Sequence, residues 1–146
     1  MPALSPRRIV AFLLAFAALG YGIERLVVTD REAIEELLER AAATVSHDDW
    51  DGFAATVDDD FAARGRNKPA FVAFVRTLKD RYKPGGVGLE IGGATINDDR
   101  AAAPVVVLPG APYVGMRVGG HVDLVRTGAG WRIAAATVDE QGLLGR

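Results

Sequence analysis

The stretch Lys79-Asp80-Arg81-Tyr82-Lys83-Pro84-Gly85-Gly86-Val87-Gly88-Leu89-Glu90-Ile91-Gly92-Gly93 decides the architecture, because the hydrophobic period changes inside it. Upstream, Phe71, Phe74, Val75 and Leu78 recur at the spacing of one helix face, opened by Asn67 as N-cap and Pro69 in the first turn. Pro84-Gly85-Gly86 stops that helix, and Lys79, Arg81 and Lys83 suit its negative end. Downstream, Val87, Leu89 and Ile91 alternate with Gly88, Glu90 and Gly92, the period of a strand, and Gly93 then shifts the register. Helices therefore lie on one side of this break and strands on the other.

Toward the N-terminus two more helices are expected. Thr29-Asp30-Arg31-Glu32 reads as a capping box, after which Ile34, Leu37, Leu38, Ala41 and Val45 form one apolar stripe. Ser46 to Asp48 is a polar break, and Trp50, Phe53, Ala54 and Val57 repeat the pattern over a shorter helix. Toward the C-terminus, Asn97-Asp98-Asp99-Arg100 is a turn, and Ala101 to Leu108 is so apolar that it predicts a central strand covered on both faces. Pro109-Gly110-Ala111-Pro112 leads to a third strand from Tyr113 to Arg126, and Thr127-Gly128-Ala129-Gly130 to a fourth from Trp131 to Val138. The expected class is α+β, a bent antiparallel four-stranded sheet wrapped around three helices with a conical hollow between them. A helix bundle with a separate sheet is the alternative.

The 146 residues, 49% hydrophobic, supply one core, and the domains expected are a segment over 1–28 and a folded domain over 29–146. Arg7 and Arg8 precede an apolar run from Ile9, interrupted by Glu24 and Arg25, that reaches a spanning length at Val28 if those two charges lie at the headgroups. This membrane partner segment, 9–28, is read as a retained anchor with a cytoplasmic N-terminus and an extracytoplasmic domain. The alternative is a signal peptide cleaved after Gly20, which leaves the domain secreted or periplasmic. A net charge of -2 with scattered basic residues argues against nucleic acid as a partner. The lack of cysteine excludes disulfides, thiolate metal sites, a cysteine nucleophile and lipoprotein-type acylation.

With these elements in order, the chain resembles the nuclear transport factor 2-like (NTF2-like, cystatin-like) superfamily, which includes ketosteroid isomerase-like and polyketide cyclase-like proteins. The likeness spans Thr29 to about Glu140. It rests on Asp49-Trp50-Asp51-Gly52-Phe53 after the first helix, Asp58-Asp59-Asp60-Phe61, and His121-Val122-Asp123-Leu124-Val125-Arg126 leading through Gly128 and Gly130 to Trp131-Arg132-Ile133. The resemblance implies a cone-shaped roll whose outer sheet face often forms a homodimer. The isomerases of that superfamily use an aspartate base, a tyrosine and a protonated aspartate; the enzyme is a known worked case of a carboxylic acid kept neutral. Their tyrosine, base and acid positions fall here on Ala41, Gly65 and Val122, none of which can move a proton.

Other candidates for chemistry are few. His47 beside Asp48 and Asp49 can be read as an acid/base pair or as a polar junction whose aspartates cap the next helix. His121 and Asp123 share one strand face, but if Val122 and Leu124 face inward these two face outward, toward solvent or a dimer partner. A bulge at Gly119 and Gly120 would shift that register and leaves Arg117 unplaced. Asp58, Asp59 and Asp60 diverge unless tightly looped, and Asp49-Trp50-Asp51-Gly52 fails as a calcium loop because its first and last ligands would be His47 and Asp58. Arg64, Arg66 and Lys68, like Lys79, Arg81 and Lys83, read as solvated surface. No metal and no cofactor is expected.

The function expected is therefore non-catalytic binding of a hydrophobic small molecule or protein partner, through a pocket lined by Phe53, Phe61, Phe71, Phe74, Met116, Val122 and Trp131, or through the sheet face. The first alternative is a small isomerase, dehydratase or cyclase using His47, Asp60, His121 or Asp123. The second is a structural subunit of an envelope assembly, since an anchor followed by such a domain is also the layout of bitopic proteins of type IV secretion.

Overall fold

The break at Pro84-Gly85-Gly86 divides the structure as it divides the sequence: among the described residues all α-helices precede it and all strands follow. The structure is a computed structural model in which residues 30–139 are described. The expected membrane segment 9–28 and Thr29 of the expected capping box lie outside the described residues. Among those described, no helix is long and apolar enough to cross a membrane. The chain divides into two compact units between Ala33 and Ile34, and of the first only residues 30–33 are described, as helix.

Residues 30–46 are helical (α1), and the stripe of Ile34, Leu37, Leu38, Ala41, Ala42 and Val45 is buried as the 3.6-residue period requires. α2 (Trp50–Thr56) starts at Asp49, whose carboxylate accepts from Gly52 N at 2.9 Å. Glycine at residue 52 leaves room for this cap, because a Cβ there would lie 2.3 Å from Asp49 Oδ2 and push the capping carboxylate aside. α3 (Lys68–Tyr82) starts at Asn67, which accepts from Ala70 N at 3.1 Å, and ends at Lys83 in the left-handed conformation.

Lys79 corrects the sequence reading. It does not serve the end of its own helix as a solvated charge. Its side chain, only 9% exposed, donates to the carbonyls of Val45 and Ser46 and pairs with Asp48 at 3.0 Å. Val45 O also accepts from Asp48 N at 3.3 Å, while Ser46 O has no donor within α1, so a cation there completes the acceptors and answers the negative helix end. Ser46 Oγ in turn accepts from Val87 N at 2.9 Å. The end of α1, the last turns of α3 and the first strand are thus tied at one point.

The strands are β1 (Val87–Ile91), β2 (Thr95–Asn97), β3 (Arg100–Pro109), β4 (Val118–Thr127) and β5 (Gly130–Val138), all antiparallel. The sheet order is β1-β3-β4-β5, with β2 also on β3. β1 and β2 are the halves of the expected bent strand: β1 pairs with residues 105–109 of β3 and β2 with residues 100–102. Between them Gly92 N donates to Pro104 O at 2.8 Å, and a Cβ at Gly92 would meet the Pro104 ring at 2.5 Å.

Three expectations for the sheet need correction. The strand expected from Tyr113 starts at Val118, because Tyr113 N bonds Gly110 O and Met116 N bonds Tyr113 O, so residues 111–117 close on themselves as turns. Gly119 and Gly120 pair in register with Val106 and Val105; the bulge lies instead between Asp123 and Leu124, where Ala134 of β5 is left unpaired. Ala134 O is free of the ladder and accepts from Ala62 N at 3.2 Å, while Ile133 O accepts from Asp58 N, so residues 57–62 run along the β5 edge. Finally, β3 is flanked on both sides but not covered on both faces. Ala102 and Val106 stay partly exposed and Pro104 is exposed.

Candidate ligand-binding site

Alternation assigns every strand residue to a face. Ala101, Ala103 and Val105 of β3, Val122 and Leu124 of β4, and Trp131 and Ile133 of β5 form the inner face, none more than 7% exposed. The same face continues toward the other end of the strands as Val107 and Pro109, Val118, and Leu89 and Val87, which are only half-buried. The inner face is apolar from end to end, but its covering is complete at one end only.

The seven residues expected to line a pocket differ in burial and in what they touch. Phe61 and Phe71 stack at 4.4 Å, and Phe53 adjoins Phe71 at 5.9 Å, so these rings largely satisfy one another. Val122 and Trp131 are buried on the sheet, with the Arg126 guanidinium 4.8 Å from the Trp131 ring. Phe74 is half-buried beneath the Arg66 guanidinium at 4.0 Å. Met116 is 41% exposed in the 111–117 turn. Sequence reasoning missed Val87, Leu89, Val107 and Val118, because in a strand pattern a half-covered residue looks the same as a buried one.

The ionisable candidates lie elsewhere. His47 and Asp60 are exposed in turns, and His121 and Asp123 are exposed on the outer sheet face, opposite Pro104 and Ala102. Among the described residues none of these four side chains has a hydrogen bond or ion pair. Ala41 and Val122 are buried, and Gly65 sits in a turn with φ +75°. The acidic run closes on itself: Asp58 accepts from Asp60 N at 3.2 Å and Asp59 pairs with Lys68 at 3.0 Å. No group of three or more potential metal ligands occurs among the described residues.

Two polar features border the half-covered end. An open depression of about 400 Å³ is lined by Ser46, Asp48, Lys79, Asp80, Lys83 and Pro84, but its buried cation, Lys79, is already held by α1. Arg117, which the sequence left unplaced, makes a two-pronged pair with Glu90, one prong at 3.0 Å. The hydrogen bond from Arg117 outweighs the opposing desolvation and, with the Arg117 charge adding to it, holds the Glu90 carboxyl below its usual range. The same bond raises Arg117. The pair joins β1 to the residue before β4.

Three helices followed by an antiparallel sheet of this kind recur in many solved structures. The domain has the nuclear transport factor 2-like, or cystatin-like, fold. An NTF2-like protein with a cystatin-like fold from Novosphingobium aromaticivorans is 22% identical, over 81% of this chain and 86% of that one, with a TM-score of 0.61. An NTF2-like protein of Pseudomonas putida KT2440 is 19% identical, over 77% and 87%, with a TM-score of 0.61. Bd1075 of Bdellovibrio bacteriovorus is 13% identical over 74% of this chain, which spans only 39% of that protein; its TM-score is 0.60. No family model and no curated protein matches the chain. At these identities the NTF2-like likeness speaks to fold, and fold does not carry activity.

Proposed function

We propose that this NTF2-like domain is a non-catalytic binding module, tethered at its N-terminus to a membrane and facing the extracytoplasmic side. It takes a hydrophobic small molecule at the half-covered end of its inner sheet face. The observation that carries the reading is the apolar surface of Val87, Leu89, Val107 and Val118, left half-buried while the continuation of the same face is closed. Apolar surface left partly in water is what an apolar ligand gains by covering, at roughly 25 cal/mol per Å². The exposed positions of His47, Asp60, His121 and Asp123 support binding over acid/base chemistry, which needs such groups within hydrogen-bond reach of the substrate.

The test is photolabelling of the full chain in lipid nanodiscs with benzophenone, followed by peptide mapping. Adducts concentrated in 87–91 and 105–118, and displaced by excess fluorenone, are expected. Adducts spread evenly over the domain, or not displaced, would refute the site. The tether is checked separately by the mass of the mature protein: an intact N-terminus supports an anchor, and a chain starting at Tyr21 supports a cleaved signal.

A further inference from the structure

α3 and the turn beside it carry a surface that ligand binding does not use. Residues 68–83 contain Lys68, Arg76, Lys79, Arg81 and Lys83 but a single acid, Asp80, in a chain of net charge -2. Lys68 and Lys79 are engaged by Asp59 and Asp48, and Asp80 lines the depression beside Lys79. Arg76, Arg81 and Lys83 make no ion pair among the described residues.

No residue of α3 is fully buried, and Leu78 and Tyr82, one turn apart on the same side, are 38% and 51% exposed. Tyr113 meets the Tyr82 ring edge-on at 6.2 Å, and its turn continues to Val114, 80% exposed, and Met116, 41% exposed. Apart from Val138, these four are all the large exposed apolar side chains of the described residues. Single exposed apolar residues are ordinary, but a group of them at one helix end is not.

We propose that the C-terminal half of α3 and the 113–117 turn rest on the headgroup layer of an anionic lipid bilayer. Val114 and Met116 enter the interface, Tyr82 lies at headgroup depth as amphipathic rings do, and Arg81 and Lys83 meet the lipid charge. Charge decides the occupant: a second copy of this chain would bring the same cations face to face, whereas an anionic surface complements them. The surface stands on the geometry of the domain and holds whether residues 9–28 are retained or cleaved.

Because the chain has no cysteine, Val114→Cys gives a unique attachment point for an environment-sensitive nitrobenzoxadiazole label. Ala55→Cys, on the exposed side of α2, serves as the control. The full chain is mixed with vesicles of phosphatidylcholine and phosphatidylglycerol carrying doxyl-labelled lipid, and with vesicles of phosphatidylcholine alone. Quenching several-fold stronger at residue 114 than at residue 55, confined to the anionic vesicles and lost when Arg81→Glu and Lys83→Glu are combined, is expected. Equal quenching at the two positions, none at either, or insensitivity to the charge reversal overturns the proposal. So does an emission shift at residue 114 that grows with protein concentration without lipid, which would identify a second copy as the occupant.

Discussion

The two ends of the inner sheet face are built from the same kinds of residue and differ in what covers them. At the closed end, Ala103 and Leu124 are at 0% exposure, and Ile133 and Trp131 at 5%, with residues 57–62 strapped along β5 by backbone hydrogen bonds. At the other end, Val87, Leu89, Val107 and Val118 are half-buried, and the nearby chain is a turn that bonds mainly to itself. The lesson is that an apolar strand residue does not by itself specify core. The closed end contributes stability, and the half-covered end is the surface that the proposed ligand would cover.

The largest expected effect sets the ends against each other. Leu124→Ala should cost about 2–5 kcal/mol in urea unfolding, since it removes a fully enclosed side chain and leaves a cavity. Leu89→Ala should cost about 1 kcal/mol, because only part of its area leaves water on folding. Equal costs would break the comparison. Next comes the clamp that holds α1, α3 and β1 together at the half-covered end. Lys79→Met should cost about 1–3 kcal/mol, because Ser46 O loses its donor, Val45 O keeps only Asp48 N and Asp48 loses its ion pair, and Lys83→Met much less. Similar losses for the two lysines would mean that the clamp is not structural.

The smallest effect concerns Glu90 and Arg117. Both are exposed, so removing their pair should barely move stability at neutral pH. The sign is nonetheless defined. The folded-state pKa of Glu90 lies below its unfolded value, so its contribution is complete above the unfolded value and is lost as pH falls through the folded one. The small stability gap between the wild-type chain and Glu90→Gln should therefore close on acidification, as read from urea midpoints across that range. A gap that widened in acid would contradict the assignment.

Local features were legible in the sequence. The α1 stripe, Asn67 as a cap, the stop at Pro84-Gly85-Gly86 and the bend at Gly92-Gly93 each follow from the period or backbone chemistry of a few neighbours. Alternation also indicated that Val122 and Leu124 turn inward and His121 and Asp123 outward. What was not legible depends on distant partners. Lys79 reads like any last-turn cation until α1 delivers its carbonyls, and the bulge follows Ala134 rather than the more flexible Gly119 and Gly120. The 111–117 turn has enough apolar residues to read as strand, but Gly115 at φ +92° and the bonds within the turn end that possibility. The stacking of Phe61 on Phe71 likewise cannot be seen from spacing.

The most direct measurement is methyl NMR of the full chain in nanodiscs, with Leu, Val and Ile methyl groups labelled and fluorenone added stepwise. Saturable shifts at Val87, Leu89, Val107 and Val118, with Val122, Leu124 and Ile133 unmoved, are what a half-covered binding end predicts. Shifts centred on Leu124 and Ile133, or none that saturate, would mean that the uneven covering of this sheet has nothing to do with binding.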